Sequence, residues 1–176
     1  MKARARRTSP RASVRAARGT TVVDVVVESK LWKDRRGVEP LLRRAIAAAA
    51  AMLPTSDAEL AIVLSDDSAI RRLNRRWRGK NAPTNVLAFP AAHPPSGAHR
   101  LIGDIVIAYE TLVRESAAEH KPFRHHLAHL AVHGFLHLSG HDHTTDEEAA
   151  AMEALEIAIL ARLGIPNPYV ARRRLG

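Results

Sequence analysis

The chain has 176 residues and a formal net charge of +9, from 27 basic and 18 acidic side chains. This length suits one domain with its own hydrophobic core and is short for two. The chain contains no cysteine, which excludes disulfides and cysteine-bound zinc, and no apolar run approaches the length of a membrane span. These features predict a cytoplasmic protein that does not insert into a membrane.

The basic charge is concentrated at the two ends of the chain. Seven basic residues and no acid fall within residues 1–19, and three consecutive arginines fall within 171–176. We expect a disordered, solvated basic tail at 1–19, one domain at 20–170 and a short basic tail at 171–176. A binding role for the N-terminal tail on phosphate polymers is the alternative, and an organelle transit peptide is a minor third interpretation.

The first elements are predicted from apolar patterns. Residues 21–28 (TVVDVVVE) are β-branched and almost continuously apolar, which predicts a strand covered on both faces. Apolar residues recur at helical spacing over 40–53, between a proline that suits a first helical turn and a second proline that ends the pattern. Residues 60–64 predict a second strand, and Ser65 or Asp66 is placed to cap the helix that follows.

The helix after this cap combines an apolar stripe with dense basic charge. Ile70, Leu73 and Trp77 recur at helical spacing, which predicts that they face the core, and Gly79 is placed to end the helix. Residues 71–80 (RRLNRRWRGK) carry six basic side chains. These charges form either a solvated helix face or a groove wall that meets phosphate groups, and the pattern favours neither.

Two more strands are predicted before the central helix. Residues 86–89 follow a Pro-Thr-Asn turn and end at a proline, and residues 101–108 (LIGDIVIA) form a longer apolar run. The loop between these strands contains His93 and His99, which we expect to be exposed rather than to bind a metal. Asp104 interrupts the second run. We expect it to face solvent at a sheet edge, and orientation of an active-site group is the alternative.

A short helix over about 110–120 leads to Pro122, which suits the first turn of a central helix. We expect His125, near the helix start, to be exposed together with His126. An apolar arc of this helix contains Leu127, Leu130, Ala131, Gly134 and Leu138, and the missing side chain of Gly134 lets a neighbouring element approach closely. The histidines fall on a separate arc of the helix: His126, His129, His133 and His137. Of these, His129 is expected to be a hydrogen-bonded groove residue rather than a fourth metal ligand.

The stretch 133–143 (HGFLHLSGHDH) predicts a metal site. His133 and His137 lie one helical turn apart on the same side of a helix, and Gly140 allows the chain to turn back so that His143 reaches the same point. Three ligands leave one position of a tetrahedral ion open for water. Such an open position is typical of a catalytic zinc site, whereas a structural site has four protein ligands.

A last helix is predicted from a capping box, in which Thr144 or Thr145 precedes Glu147 or Glu148 by three residues. Gly164 is placed to end this helix. Four apolar residues recur at helical spacing and form its predicted buried stripe: Met152, Leu155, Ile159 and Leu163.

The spacing H-x-x-x-H-x-x-G-x-x-H occurs in zinc enzymes with different reactions. In the zinc peptidases the residue after the first histidine is the glutamate that acts as general base, and here it is Gly134. Because glycine cannot accept a proton, this position argues against a peptidase. A zinc ion also lowers the pKa of bound water to about 7 and polarises a phosphoryl oxygen, which suits phosphodiester hydrolysis. With the basic segment at 71–80, this chemistry favours a nucleic-acid substrate.

The sequence resembles the YbeY family of bacterial-type endoribonucleases, which act in ribosomal RNA maturation. The family pattern H-G-x-L-H-x-x-G-Y-D-H is matched by His133, Gly134, Leu136, His137, Gly140, Asp142 and His143. Similarity continues over 58–170, in Leu73-Asn74 with Arg78, PTNVLAFP at 83–90, Gly103-Asp104-Ile105, EALE at 153–156 and Pro168-Tyr169. The chain departs from the family at His141, where the family has tyrosine, and at Ala88, where it has serine.

The resemblance implies a single α/β (α+β) domain, with a small mixed four-stranded sheet packed by about five helices and a zinc site in a cleft. It implies that His133, His137 and His143 bind one Zn²⁺ ion and that Arg78 is the cation for the substrate phosphate. Arg78 and His137 are therefore the predicted catalytic residues. Asp142 either orients a ligand histidine or stabilises the turn.

The implied function is that of a zinc-dependent, single-strand-specific endoribonuclease in 16S-type ribosomal RNA processing and ribosome quality control. The implied partners are precursor ribosomal RNA and ribosomal particles or ribosomal proteins. One alternative is a non-catalytic ribosome-assembly factor with a structural metal. A metallopeptidase is a less favoured alternative because of Gly134.

Overall fold

The computed structural model describes residues 21–53, 58–92 and 100–170. The basic tails expected at 1–19 and 171–176, together with His93 and His99, lie outside these ranges. A short turn of 3-10 helix at Lys30–Trp32 accompanies the main elements. These are the strands β1 (Val22–Val27), β2 (Ala58–Ser65), β3 (Val86–Pro90) and β4 (Arg100–Ala108), and the helices α1 (Val38–Ala50), α2 (Asp67–Arg78), α3 (Tyr109–Ala118), α4 (Phe123–Leu138) and α5 (Asp146–Arg162).

The strands form one mixed sheet in the order β1-β2-β4-β3. β1, β2 and β4 run parallel, and β3 pairs with β4 in the antiparallel direction. α1 provides the crossover between the parallel strands β1 and β2, as such pairs require. This sheet and its helices confirm the small α/β domain that the family resemblance implies.

β1 lies at the edge of the sheet, so the prediction of a strand covered on both faces is wrong. Val23 is buried, whereas Val22, Val26 and Val27 are exposed. β-Branched side chains favour an extended backbone and pack well on a pleated surface wherever the strand lies. The valine run therefore predicted a strand correctly but not its position in the sheet.

α4 is the central helix, and it contacts α1, α3 and α5 as well as β3 and β4. The apolar arc predicted for it is buried. His133 and His137, near its C-terminal end, remain partly accessible to solvent. The surrounding elements also bury apolar side chains that the predicted arc leaves out: Ala128, Val132, Phe135 and Leu136.

Gly134 brings α4 directly onto strand β4, as its place on the apolar arc predicts. A Cβ atom at this position would lie 2.8 Å from Cγ2 of Ile105 and 3.1 Å from its Cδ1. No side chain fits in that space without moving Ile105, which is itself fully buried. The contact fixes how closely the helix that carries two histidines lies on the sheet.

α2 packs on the opposite face of the sheet, where Ile70 contacts a small cluster that includes Leu87 and Val106. The prediction that Trp77 is buried is wrong, because 63% of its surface is exposed. Asn74 is buried instead and donates a hydrogen bond to the carbonyl of Ala82, at 2.8 Å. Ile70 and Asn74, one turn apart, occupy the side of the helix that faces the sheet, so the indole at the helix end projects beyond it.

Asp104 lies on β4, which has β2 on one side and β3 on the other. The predicted position at a sheet edge is therefore wrong, although the side chain is exposed as expected. Asp104 shares a face of the strand with Val106, because side chains alternate along a strand. α2 covers Val106 but not Asp104, which leaves the carboxylate in solvent.

Several of the predicted helix ends are confirmed. Asp66 accepts a backbone N–H in the first turn of α2, and Thr145 and Glu148 form a reciprocal capping box at the start of α5. Gly140, just after α4, has a φ of 90° that favours glycine. α1 begins at Val38, two residues before the proline at its predicted start. Within the described ranges, no helix has the length and apolar character needed to cross a bilayer.

Candidate active site

Three imidazoles converge at the C-terminal end of α4. His133 and His137 lie one turn apart on the helix, and their Nε2 atoms are 3.1 Å apart. The turn at Gly140 brings His143 back, so that one nitrogen from each of the three rings lies within 4.8 Å of the others. His133 and His137 are half-buried and His143 is exposed, so the cluster opens to solvent on one side.

Glu156, on α5, lies fully buried behind this cluster. Its Oε1 is 2.7 Å from Nδ1 of His133, and its Oε2 is 3.2 Å from Nε2 of His129. The hydroxyl of Tyr169 also donates to Oε2. Burial alone would raise the pKa of this carboxyl, but the hydrogen bonds from His129, His133 and Tyr169 outweigh it and hold the pKa at about 2.

The charge on Glu156 determines how the rings present their nitrogens. Because the carboxylate is ionised and can only accept, Nδ1 of His133 carries the proton of this hydrogen bond, and Nε2 is the nitrogen that faces His137. Burial, followed by the neighbouring rings of His133 and His143, lowers the pKa of His137, which favours its neutral form. Imidazole nitrogens are ligands that zinc prefers, and a carboxylate behind one ligand ring is a common partner in such sites, so these residues fit the implied ion.

The histidine cluster forms one wall of a cleft of about 610 Å³. The opposite wall comes from the end of α2, the loop after it and β3, and it includes Arg78 and Lys80. Asp142 is the one carboxylate among the described residues that line this cleft. Its Oδ1 accepts a hydrogen bond from the backbone N–H of His143 at 2.8 Å, which supports the turn-stabilising interpretation.

Arg78 is held at the cleft by the way α2 ends. Gly79 follows it with a φ of 69°, which stops the helix. The buried side chain of Asn74 then ties the loop down through the carbonyl of Ala82. Within the part of the chain that the structure describes, none of the basic side chains at 71–80 forms an ion pair with an acid. Their charge is therefore available to a ligand.

A second buried network supports the cleft from below, and it contradicts the prediction that His126 is exposed. His126 is buried, and its Nε2 lies 2.8 Å from Oε2 of Glu115 on α3. The same oxygen accepts a hydrogen bond from the side-chain amide of Asn85 at 2.9 Å. Asn85 lines the cleft, so this network joins the cleft wall to α3 and α4. His125 is half-buried, so the expectation of exposure holds only in part.

The structure thus brings together every predicted site residue: His133, His137, His143 and Arg78. His129 is hydrogen-bonded to Glu156 and Tyr169, as predicted, and lies outside the ligand cluster. The residue that the sequence patterns missed is Glu156. Its signal was an acid one turn after Met152 and three residues before Ile159, inside the buried stripe of an amphipathic helix.

Fold and site together define a small α/β protein in which a three-histidine cluster, suited to a metal ion, faces a basic wall across a cleft. The family model described as Endoribonuclease YbeY matches residues 27–164. The chain belongs to this family.

Relatives named Endoribonuclease YbeY are similar over most of their length. The protein of Nitrobacter hamburgensis is 56% identical over 159 residues, which cover 86% of this chain and 84% of that protein. The protein of Rhodopseudomonas palustris strain BisA53 is 55% identical, with 86% of this chain and 91% of that protein covered. The solution structure of TM1509 from Thermotoga maritima shares the fold, with a TM-score of 0.51, 22% identity and coverage of 88% and 93% of the two chains.

Proposed function

We propose that this protein is a zinc-dependent endoribonuclease that cleaves single-stranded regions of precursor ribosomal RNA. The observation that carries the proposal is the shared cleft, in which three imidazoles face Arg78 and Lys80. A metal site next to unpaired cations suits a phosphodiester substrate, because the cations attract and position phosphate groups. The names of the relatives, Endoribonuclease YbeY, support the same class of reaction.

In this proposal the histidines, Glu156 and the basic wall of the cleft have separate roles. His133, His137 and His143 would hold one Zn²⁺ ion, which supplies Lewis-acid activation of water and of a phosphoryl oxygen when it is bound. Glu156 keeps the proton of His133 on Nδ1, which directs the Nε2 lone pair into the cleft. Arg78 binds the substrate phosphate through its guanidinium, and Lys80 adds positive charge on the same wall.

A peptidase is disfavoured by the packing around Gly134 as well as by its chemistry. The position that would carry the general base lies against Ile105, which leaves no room for even a methyl group. Asp142 is the remaining carboxylate at the cleft, and it is hydrogen-bonded to the backbone of His143. No side chain at position 134 can therefore take the place of the glutamate of the zinc peptidases.

The proposal extends to the setting of the reaction. Precursor ribosomal particles are the expected partners, in the cytoplasm, with 20–170 as the catalytic domain and a role in processing of 16S-type RNA and in ribosome quality control.

Replacement of Arg78 by alanine tests the proposal. We expect kcat/KM for cleavage of single-stranded RNA to fall about 100-fold, the range for loss of one charge-stabilising donor at a reacting phosphate. Arg162→Ala is the control, because Arg162 is exposed on α5 and does not line the cleft. Equal activity of both variants and the wild type would show that Arg78 does not bind the substrate phosphate. Absence of zinc-dependent cleavage in the wild type would favour the assembly factor.

A further inference from the structure

Trp77 is the most exposed large apolar side chain among the residues that the structure describes. It lies at the end of α2, directly before Arg78. The indole contacts the ring of Phe89, with centroids 6.1 Å apart and planes inclined by 60°. This contact supports the ring while most of its surface stays open to solvent.

The surroundings of this indole are basic rather than apolar. The guanidinium of Arg76 lies 5.5 Å from the ring centroid, at cation–π distance. Arg75, Arg78 and Lys80 are also exposed nearby in the chain, and none of them has an acidic partner in the described ranges. A protein-binding hot spot would place apolar neighbours around a tryptophan, whereas a single ring among cations matches the chemistry of single-stranded nucleic acid.

The position of Trp77 relative to the cleft follows from β3. Ala88 points into the cleft, and Phe89, the next residue, points to the other face, because side chains alternate along a strand. β3 lies at the edge of the sheet opposite β1 and pairs only with β4 among the described strands. Trp77 contacts Phe89 of this strand and is next to the cleft residue Arg78 in the chain, so it lies near the side of the cleft that this edge bounds.

We propose that Trp77 is a stacking platform for one unpaired RNA base, next to the phosphate held by Arg78. The inference rests on the proposed function and adds a substrate contact to it. A base can lie on the indole only if it is free of its partner and of one neighbour. The platform thus provides a physical reason for preference for single strands, and every base can use it because each has a π face.

Tryptophan fluorescence gives a direct test, because the chain has two tryptophans and only one is exposed. Trp32 is buried, and its indole N–H donates to the carbonyl of Ser65 at 2.8 Å, so a ligand does not reach it. Stopped-flow mixing of the zinc-loaded protein with a short unstructured RNA reads binding before turnover. We expect quenching of the emission of Trp77 by single-stranded RNA, and none by a fully paired duplex of the same sequence.

Two substitutions separate stacking from a structural role. Trp77→Ala should raise KM for single-stranded RNA about tenfold, within the range for base–aromatic stacking, and leave kcat within about twofold. Trp77→Phe should restore KM, because a phenyl ring still stacks, but should show no quenching. Thermal unfolding of both variants should stay close to wild type, since the side chain is exposed.

The outcomes also distinguish this inference from the proposed function. Wild-type cleavage together with an unchanged KM in Trp77→Ala, or with no quenching on binding, would overturn the stacking platform and leave the endoribonuclease intact. Equal quenching by duplex and single strand would overturn it as well. A wild-type protein that neither binds nor cleaves RNA would overturn the proposed function and the platform with it.

Discussion

At the residue scale, the candidate site depends on a carboxylate that never touches the proposed ion. Glu156 accepts from Nδ1 of His133 and directs the opposite nitrogen of that ring toward His137. Such second partners of ligand histidines typically change metal affinity 10- to 100-fold. The backbone of His133 is therefore positioned by α4, whereas the orientation of its ring is set by Glu156 on α5.

Replacement of Glu156 by glutamine tests this role. The amide keeps the shape of the side chain but removes the charge that fixes the proton on Nδ1 of His133, so we expect zinc affinity to fall about 10- to 100-fold. Competition with a chelator of known affinity measures the change. Glu59→Gln, an exposed position on β2, is the control. Zinc affinity equal to wild type in Glu156→Gln would show that the carboxylate does not orient the ligand.

The contact of Gly134 with Ile105 gives a prediction about stability. Gly134→Ala should lower the free energy of unfolding by about 1–3 kcal/mol, as overpacking of a dense core does. Urea unfolding measures this loss. If the clash is with Ile105, the double variant Gly134→Ala/Ile105→Ala should lose less than the sum of the two single changes. Additive losses would place the cause elsewhere.

Sequence patterns found the residues whose partners are near in the chain and missed those whose partners are far away. His133, His137 and His143 follow from one short motif, and Gly134 from its place on the helix. The local pattern of Glu156, an acid inside a buried stripe, does not identify its partner, because its hydrogen bond to His133 joins residues 23 positions apart on different helices. Arg78 was placed by family resemblance, since nothing in its own segment separates it from its basic neighbours.

At the element scale, one carboxylate connects three parts of the fold beneath the cleft. Glu115 on α3 accepts from Asn85, at the start of β3, and from His126 on α4. Burial alone would raise the pKa of Glu115, but the hydrogen bonds from His126 and Asn85 outweigh it, so the pKa lies below its ordinary value. The ionised form is thus the one that holds these elements together.

This network predicts a dependence of stability on pH. A carboxyl with a lowered folded-state pKa adds stability that is present above its unfolded pKa and is lost as pH falls through its folded pKa. Glu115→Gln should therefore cost about 1 kcal/mol at neutral pH, and the cost should shrink as the pH falls below the ordinary pKa of this carboxyl and through its lowered folded-state pKa. Urea unfolding at neutral pH and at the lowest pH at which the wild type stays folded measures the difference. A loss that is the same at both pH values would show that the charge of Glu115 does not contribute.

Elements were predicted well as segments and less well in their arrangement. The capping signals at Asp66 and Thr145 gave two helix starts, because a cap is a local hydrogen bond. Strand order is decided by contacts between distant segments, so β1 was mistaken for a strand covered on both faces, and Asp104 for an edge residue. The predicted burial of Trp77 is wrong for a related reason, since helical spacing does not show how far the sheet extends beneath the helix.

At the scale of the whole molecule, the hydrophobic core and the three-histidine cluster occupy different regions. One large buried cluster joins the sheet to α1, α4 and α5, whereas His133, His137 and His143 lie in a partly open cleft at the end of α4. The family resemblance predicted this single α/β domain. It did not show that the three histidines lie outside the large buried cluster.

Metal removal tests this separation. We expect the chelated protein to keep its far-UV and near-UV circular dichroism, because the core does not include the ligands. Zinc at about 100 times its Kd should add about 2.7 kcal/mol to stability and raise Tm by roughly 5–10 °C. Unfolding on chelation would instead indicate a structural metal and favour the assembly factor.

The central claim is that the three-histidine cluster, loaded with metal, cuts RNA. The most direct measurement is cleavage of single-stranded ribosomal RNA fragments by the chelated protein, with and without one equivalent of zinc, for wild type and for His137→Ala. We expect zinc to restore cleavage to the wild type alone, while both proteins remain folded. Cleavage that is independent of zinc, or equal in His137→Ala, would contradict it.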